Sequence, residues 1–293
     1  MLSTPLALLY FAFRGIRDRA YLGRWSERFG FFPGPVVKGG ILVHAASVGE
    51  FNAASPLIKR LLKTYPDTPV IVTTLTPTGS ERVKRELGDK IYHGYITIDL
   101  NGAVRRFLNR LEPSIIVVME TEIWPNLYLQ AQERKIPLLM ANARLSERSV
   151  RQFRRMSGLF ERSLQSVSWI GAQSEEDANR LEICGADRRR LDMTGNLKFD
   201  LNVPASLEEK GSALRARWGP ARPVLVAGST HEADEDVVIP AFASLLERLP
   251  DALLILVPRY PERFARAAQS AKAAGLRTEL HLSLIHISEP TRH

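Results

Sequence analysis

The chain has 293 residues, 45% hydrophobic and 25% charged, which excludes a disordered or fibrous protein and leaves room for one large domain or two. Its single cysteine, Cys184, rules out an intramolecular disulfide and a multi-cysteine metal site. A net charge of +8 calls for an anionic partner. Nucleic acid is set aside, because no RNA-binding or zinc-finger signature is present and the aromatics do not interleave with the basic residues.

Leu2 to Phe13 is apolar but shorter than the roughly 20 residues a spanning helix needs. Arg14, Arg17, Arg19, Arg24 and Arg28 follow, with Tyr21 and Trp25 among them. Residues 1–20 are therefore expected to associate with a membrane as a basic, aromatic-edged interfacial segment. A core helix with a solvated basic face is the competing reading. Ile41 to Val43 reads as a buried strand, and Ala53, Leu57, Leu61 and Leu62 mark a following helix. Between them lie Ser47, Gly49 and Glu50. A carboxylate at a helix start is favoured by the helix dipole. Glu50 either caps the helix or faces a ligand at the C-terminal edge of a parallel sheet.

Val70 to Thr74 is a β-branched strand, followed by Thr76 and by a helix containing Arg82, Val83 and Leu87, for which Ser80 or Thr78 is the expected cap. Ile91 to Ile98 is strand-like, and Ala103 to Leu111 is a helix with Val104, Phe107, Leu108 and Leu111 on one face. Ile115 to Met119 is wholly apolar, as buried parallel strands are. It ends in Glu120-Thr121-Glu122, ahead of a helix through Leu127 and Ala131. Pro137 to Met140 is a strand running out through Ala141-Asn142-Ala143-Arg144.

Glu147 to Val167 reads as one long helix. Phe153, Met156, Phe160 and Leu164 lie on one side; Arg148, Arg151, Arg154, Arg155 and Arg162 form either a solvated face or a surface for anionic headgroups. Trp169 to Ala172 is a strand, Ser174 caps the helix Glu175 to Ile183, and Gly185 stops it. Leu191 to Thr194 leads to Gly195-Asn196-Leu197-Lys198-Phe199-Asp200. Strands alternating with helices at this spacing predict a parallel, doubly wound α/β domain over residues 21–202.

A polar stretch with Pro204, Ser206 and Lys210 reads as a linker. The pattern then restarts with strands at Pro223–Ala227 and Ala252–Val257 and helices at Val237–Leu249 and Phe264–Ala274. Residues 203–280 are thus expected to be a second, incomplete unit of the same kind. Residues 281–293 break the pattern and resemble translated sequencing adapter, so His286 and His293 receive no role.

The strand ends carry Ser47 and Glu50, Thr76 and Ser80, Glu120 and Glu122, Arg144, and Lys198, and a doubly wound sheet gathers such ends on one edge. Carboxylates and a lysine at one cleft suit base catalysis at an anionic electrophile. No dinucleotide or P-loop signature is present. His44 and His231 lack ligand-spaced partners, so no metal site is expected.

Five ordered motifs then resemble the 3-deoxy-D-manno-octulosonic acid (Kdo) transferases: His44 to Glu50, Thr73 to Ser80, Met119 to Asn126, Ala141 to Ser146 and Thr194 to Asp200. Arg24 to Phe31 and Gly228 to Glu232 also match. The resemblance implies a GT-B fold of two Rossmann-like domains. It implies a cofactor-free, metal-independent, inverting transfer of Kdo from CMP-Kdo to the lipid A precursor at the cytoplasmic face of the inner membrane of a Gram-negative bacterium. By motif, Glu50 is the general base, and Glu120 and Lys198 stabilise the transition state. Ser47, Gly49, Thr76, Ser80, Glu122, Arg144 and His231 belong to the substrate site, and Pro258 and Arg259 to the donor site. Tyr260 departs from the family's histidine, and the later glycine-rich and glutamate-containing donor motifs are absent, which implies impaired turnover. A non-catalytic fragment binding membrane or lipid A precursor, or another nucleotide-sugar GT-B transferase, are the alternatives.

Overall fold

A computed structural model describes residues 19–155, 157–200 and 205–280. Most of the N-terminal anchor and the whole C-terminal tail considered above lie outside them. The chain divides into two compact units at Leu201/Asn202.

The first unit is a single seven-stranded, wholly parallel sheet. Its strands are β1 (Ile41–His44), β2 (Val70–Thr74), β3 (Tyr92–Tyr95), β4 (Ile115–Met119), β5 (Leu138–Ala143), β6 (Trp169–Ala172) and β7 (Leu191–Met193), in the order β3-β2-β1-β4-β5-β6-β7. A single helical turn, α1 (Trp25–Arg28), precedes β1. The connecting helices are α2 (Val48–Thr64), α3 (Pro77–Leu87), α4 (Asn101–Leu111), α5 (Pro125–Glu133), α6 (Glu147–Arg155), α7 (Ser157–Gln165) and α8 (Glu175–Ile183).

Alternation along the central strands divides the core in two. Ile41 and Val43, with Val70, Val72, Val117 and Met119, pack against Phe51, Ala54 and Ile58 of α2 and Val83 and Leu87 of α3. Leu42, Ile71, Ile116 and Val118 face the other way, onto Val104, Phe107 and Leu108 of α4 and Leu127 and Tyr128 of α5. The order in which strands are added to the sheet reverses between β1 and β4, which pair in parallel from Ile41↔Ile115 to His44↔Val118. That is the topological switch point at which such sheets bind ligands.

Several local expectations need correction. Thr76, not Thr78 or Ser80, is the N-cap of α3: its hydroxyl accepts the Gly79 N–H at 3.1 Å and Pro77 opens the helix, where proline's missing donor costs nothing. The third strand covers only Tyr92–Tyr95 of the run from Ile91 to Ile98. The polar stretch read as a linker is largely a helix, α9 (Ala205–Trp218). Its Leu, Glu, Lys, Ala and Arg are good helix formers, but exposure along most of its length removes the apolar stripe by which helices are recognised. The expected helix from Glu147 to Val167 is helical as α6 and α7, and Phe153 and Phe160 stack at 4.7 Å.

The second unit pairs β8 (Val224–Thr230) with β9 (Leu253–Pro258) in parallel, beside α10 (Glu232–Leu246) and α11 (Phe264–Ala273). α10 begins five residues before the predicted Val237, because the acidic first turn of Glu232, Asp234 and Glu235 suits a helix N-terminus. Leu225, Val226 and Val257 are exposed in this two-stranded sheet.

Phe107 is fully buried and meets Phe32 edge-to-face at 5.9 Å. Phe107→Ala is expected to lower unfolding stability by about 3–5 kcal/mol, read as a lower urea midpoint with an unchanged slope.

Candidate active site

β1 ends at His44, and the turn Ala45-Ala46-Ser47 feeds α2. Ser47 is its N-cap, which makes Val48, Gly49 and Glu50 the first helical positions. Ser47 Oγ accepts the Glu50 N–H at 3.3 Å and donates to Glu50 Oε1 at 3.0 Å. The second carboxylate oxygen, Oε2, accepts the Ala46 N–H at 2.8 Å. Serine and glutamate three apart form a capping box, here reaching one residue further back than usual. Gly49 is exposed, and an added Cβ would meet only Ser47 Oγ, at 3.8 Å, so the helix's first turn is open beside Glu50. The turn is braced from β2: Leu75 N–H and Thr76 N–H both donate to the Ala46 carbonyl, at 3.0 and 3.2 Å. Gly79 of α3 packs so closely that a Cβ would lie 2.9 Å from Thr76 Oγ1.

Across the switch point, Glu120 follows β4 in a left-handed conformation (φ 54°), its N–H donating to the Ala141 carbonyl at 2.9 Å. Its carboxylate is shared by two cations, with Arg144 Nε 3.1 Å from Oε2 and Lys198 Nζ 3.6 Å from Oε1. Thr121 exchanges hydrogen bonds with the Arg144 backbone. The loop Glu120–Trp124 is also fixed from behind. Asp99 accepts the Asn126 and Leu127 N–H groups at the start of α5, at 2.9 and 3.0 Å. Tyr128 donates to the Glu122 carbonyl at 3.0 Å.

The charge balance decides the chemistry. Both cations go to Glu120, and among the described residues neither Glu50 nor Glu122 has an ion-pair partner. Burial pushes the Glu50 carboxyl up to about 7, helped by the charge of Glu122 and less by Glu120; the Ala46 N–H and Ser47 hydroxyl oppose the rise. Burial also raises Glu122, partly countered by the Trp124 indole N–H. Trp124 Nε1 is buried and makes no hydrogen bond of ordinary geometry. A carboxyl near 7 is poised to gain or lose a proton at neutral pH. His44 Nδ1 lies 3.0 Å from Thr73 Oγ1, and its ring meets Trp124 edge-to-face at 6.1 Å. Burial lowers it to about 4, which keeps it neutral.

The geometry thus collects Ser47, Gly49, Glu50, Thr76, Glu120, Glu122, Arg144 and Lys198 on one sheet edge. Ser80 is committed elsewhere. His93 Nδ1 lies 2.9 Å from the Val72 carbonyl and must donate to it, so Nε2 accepts from the Ser80 hydroxyl at 2.8 Å. Ser80 Oγ in turn accepts from Arg24 Nη1 at 2.8 Å. Arg24 also forks onto Glu27 at 2.6 and 2.7 Å, which ties the segment before β1 to α3. His231, Pro258 and Arg259 belong to the second unit. His231 precedes α10 and meets Tyr260 edge-to-face at 5.8 Å; the Arg259 N–H donates to the Thr230 carbonyl at 2.9 Å. No side-chain pattern announced the Ala46 N–H, a backbone group. Asn142, also left-handed (φ 58°) and 1% exposed, was signalled only by asparagine's tolerance of that conformation.

Solved structures with the same architecture include UDP-GlcNAc 2-epimerase from Neisseria meningitidis bound to UDP-GlcNAc (TM-score 0.57, 13% identity, 85% of this chain and 74% of that one). Another is an S. aureus MnaA–UDP co-structure (TM-score 0.52, 15% identity, 85% and 70%). These define the class: an α/β protein of the GT-B type. Within that class, the family described as 3-deoxy-D-manno-octulosonic-acid transferase (kdotransferase) matches residues 23–201. The 3-deoxy-D-manno-octulosonic acid transferase of Haemophilus influenzae is 39% identical over 93% of this chain and 64% of its own length. That of Bordetella pertussis is 35% identical over 92% and 65%, and a probable mitochondrial one from Arabidopsis thaliana 32% over 93% and 62%. The chain belongs to the Kdo transferase family. It spans just under two thirds of the length of these relatives.

Because the fold raises the Glu50 value from 4.5 to about 7, the folded state binds more protons than the unfolded one in between. Stability from this group is present below pH 4.5 and lost as pH rises through 7. At about 1.4 kcal/mol per pH unit, the effect is up to roughly 3 kcal/mol. Glu50→Gln, which does not titrate, is expected to gain on the unmutated chain by that order between pH 5 and 8, measured as the difference in chemical-denaturation free energies.

Proposed function

We propose that the chain carries the acceptor-side catalytic centre of a glycosyltransferase that moves Kdo from CMP-Kdo to the lipid A precursor. In this reading Glu50 removes the proton from an acceptor hydroxyl as its oxygen attacks the anomeric carbon of Kdo. The bond from that carbon to the CMP phosphate oxygen breaks, and CMP leaves with the electron pair. Attack opposite the leaving group inverts the anomeric centre. Lys198 and Arg144 offset the negative charge of the donor carboxylate and the departing phosphate, so the reaction draws its charge stabilisation from side chains and not from a metal.

The observation that carries the reading is the state of Glu50: a buried carboxyl near 7, without a cation partner, beside an open first turn of α2 and across the switch point from a carboxylate holding two cations. Family membership supplies the substrate class. Pro258 and Arg259 are assigned to the donor site, and Ser47, Gly49, Thr76, Glu122, Arg144 and His231 to the substrate site. A location at the cytoplasmic face of the inner membrane follows from the lipid acceptor and agrees with the net charge of +8. Among the described residues no helix is long and apolar enough to cross a membrane.

Transfer from CMP-Kdo to lipid A precursor is expected to fall by on the order of 10²–10⁴-fold in Glu50→Gln, the range a positioned base supplies, with lipid binding retained. For the unmutated chain, log kcat/KM should rise with unit slope below neutrality and level off above about pH 7. That limb should vanish in the variant. Near-normal transfer by Glu50→Gln would remove Glu50 from the base role.

A further inference from the structure

Lys198 reaches Glu120 from the far side of the sheet, on a short 3₁₀ turn, Leu197–Phe199, that follows the edge strand β7. Its side chains are unevenly anchored: Leu197 is half-buried against the core, whereas Lys198 is exposed and Phe199 is 86% exposed. Beyond the turn's own backbone bonds, from the Phe199 N–H to the Asn196 carbonyl and from the Asp200 N–H to the Leu197 carbonyl, two side-chain acceptors hold it. Asn196 Oδ1 accepts the Lys198 N–H at 3.0 Å, a contact within the turn. Asn142 Oδ1 accepts the Leu197 N–H at 3.0 Å, a contact that joins the turn to the end of β5.

Asn142 is an expensive way to make that contact. It sits where the β5–β6 register shifts, in a left-handed conformation (φ 58°), and its Nδ2 is buried with no hydrogen-bond partner. Glycine would relieve the backbone strain and leave no stranded donor, a group that costs free energy when buried. What glycine could not supply is the Oδ1 tether. The neighbours of Asn142 serve the same centre: the Ala141 carbonyl holds the Glu120 N–H, and Arg144 pairs with the Glu120 carboxylate.

We infer that Asn142 is a positioning residue of this centre, whose side chain fixes the Leu197–Phe199 turn and so places the Lys198 ammonium against Glu120. The inference rests on the transferase reading for what Lys198 does there. The tether itself does not.

Asn142→Gly tests the tether, because it keeps the left-handed backbone and removes the Oδ1 acceptor with the rest of the side chain. The first measurements, made on the full chain, need no turnover. The acylation rate of the Lys198 amine by a small neutral active ester is read by peptide mass spectrometry, with exposed Lys63 as internal reference. Hydrogen exchange of the Leu197 amide is followed alongside. An amine released from its contact with the carboxylate is more open to the ester and acylates faster. Asn142→Gly is expected to accelerate Lys198 acylation several-fold, towards the rate in Glu120→Gln, and Leu197 exchange about tenfold, the order of one net hydrogen bond. Lys63 should be unaffected. Unchanged Lys198 acylation and unchanged Leu197 exchange overturn the tether.

Transfer kinetics test its catalytic consequence. Asn142→Gly is expected to lose about tenfold in kcat/KM in the unmutated background and nothing further in Lys198→Ala. Equal losses in both backgrounds overturn positioning through Lys198. Full activity of Lys198→Ala refutes the role given to that lysine by the transferase reading, and the catalytic half of the inference with it, while the acylation and exchange data still decide the tether.

Discussion

The adjacency of β1 and β4 is the constraint on which the site depends. In a wholly parallel sheet ordered β3-β2-β1-β4-β5-β6-β7, the helix after β1 packs on one face and the helix after β4 on the other. Their connecting turns diverge and leave an opening between two strand ends that are themselves hydrogen-bonded neighbours. Glu50 lies on one lip and Glu120 and Glu122 on the other. Three carboxylates are thereby brought together by topology, with no direct bond between them.

Such a cluster is unfavourable unless its charge is distributed, and the structure distributes it unequally. Glu120 takes both available cations, Arg144 and Lys198. Glu122 keeps only the partial charge of the Trp124 indole. Glu50 keeps two neutral donors, the Ala46 N–H and the Ser47 hydroxyl. One carboxylate is thus paired with two cations while another, without one, is raised to about 7. Separating the properties of neighbouring carboxyls in this manner is how a site obtains a base and an electrostatic anchor from the same residue type. Left-handed backbone at Glu120 and Asn142 accompanies the arrangement, of order 1 kcal/mol or more of strain at each.

Much of this was legible in the sequence because the strands are buried on both faces. Ile115–Met119 and Val70–Thr74 read as continuous β-branched or apolar runs and match the observed strands residue for residue. Ser174 and Gly185 bracket α8 as predicted, because caps are local chemistry. What was not legible was tertiary or solvent-facing. Ser80 carries the same hydroxyl as Ser47, but nothing in the sequence says that Arg24 and His93 will occupy it. Helix α9 was missed because no buried face writes a period into its residues. At Thr76 three hydroxyls compete within five positions, and the proline at position 77 was the decisive clue. The motifs of the Kdo transferases identified the family where periodicity alone gave only a parallel α/β sheet.

Two readings of Glu50, a helix cap or a base facing a ligand, looked like alternatives from the sequence. In the folded chain one arrangement accommodates both, the cap that is seen and the base that is proposed. The cap is real: Ser47 and Glu50 exchange hydrogen bonds, and the carboxylate reaches back to the Ala46 N–H. That reach is what draws the carboxyl down onto the sheet edge and out of water, where desolvation raises it. A cap extending into solvent would keep an ordinary carboxylate value and offer little as a base at neutral pH. Nor would a buried carboxyl without those two donors be better suited, since it would rise further and hold its proton too firmly. The capping bonds therefore set both the position and the proton affinity of Glu50. The first turn at Gly49, where a Cβ would meet almost nothing, is open, and in the proposed reaction it is the side from which the acceptor hydroxyl would approach without disturbing them.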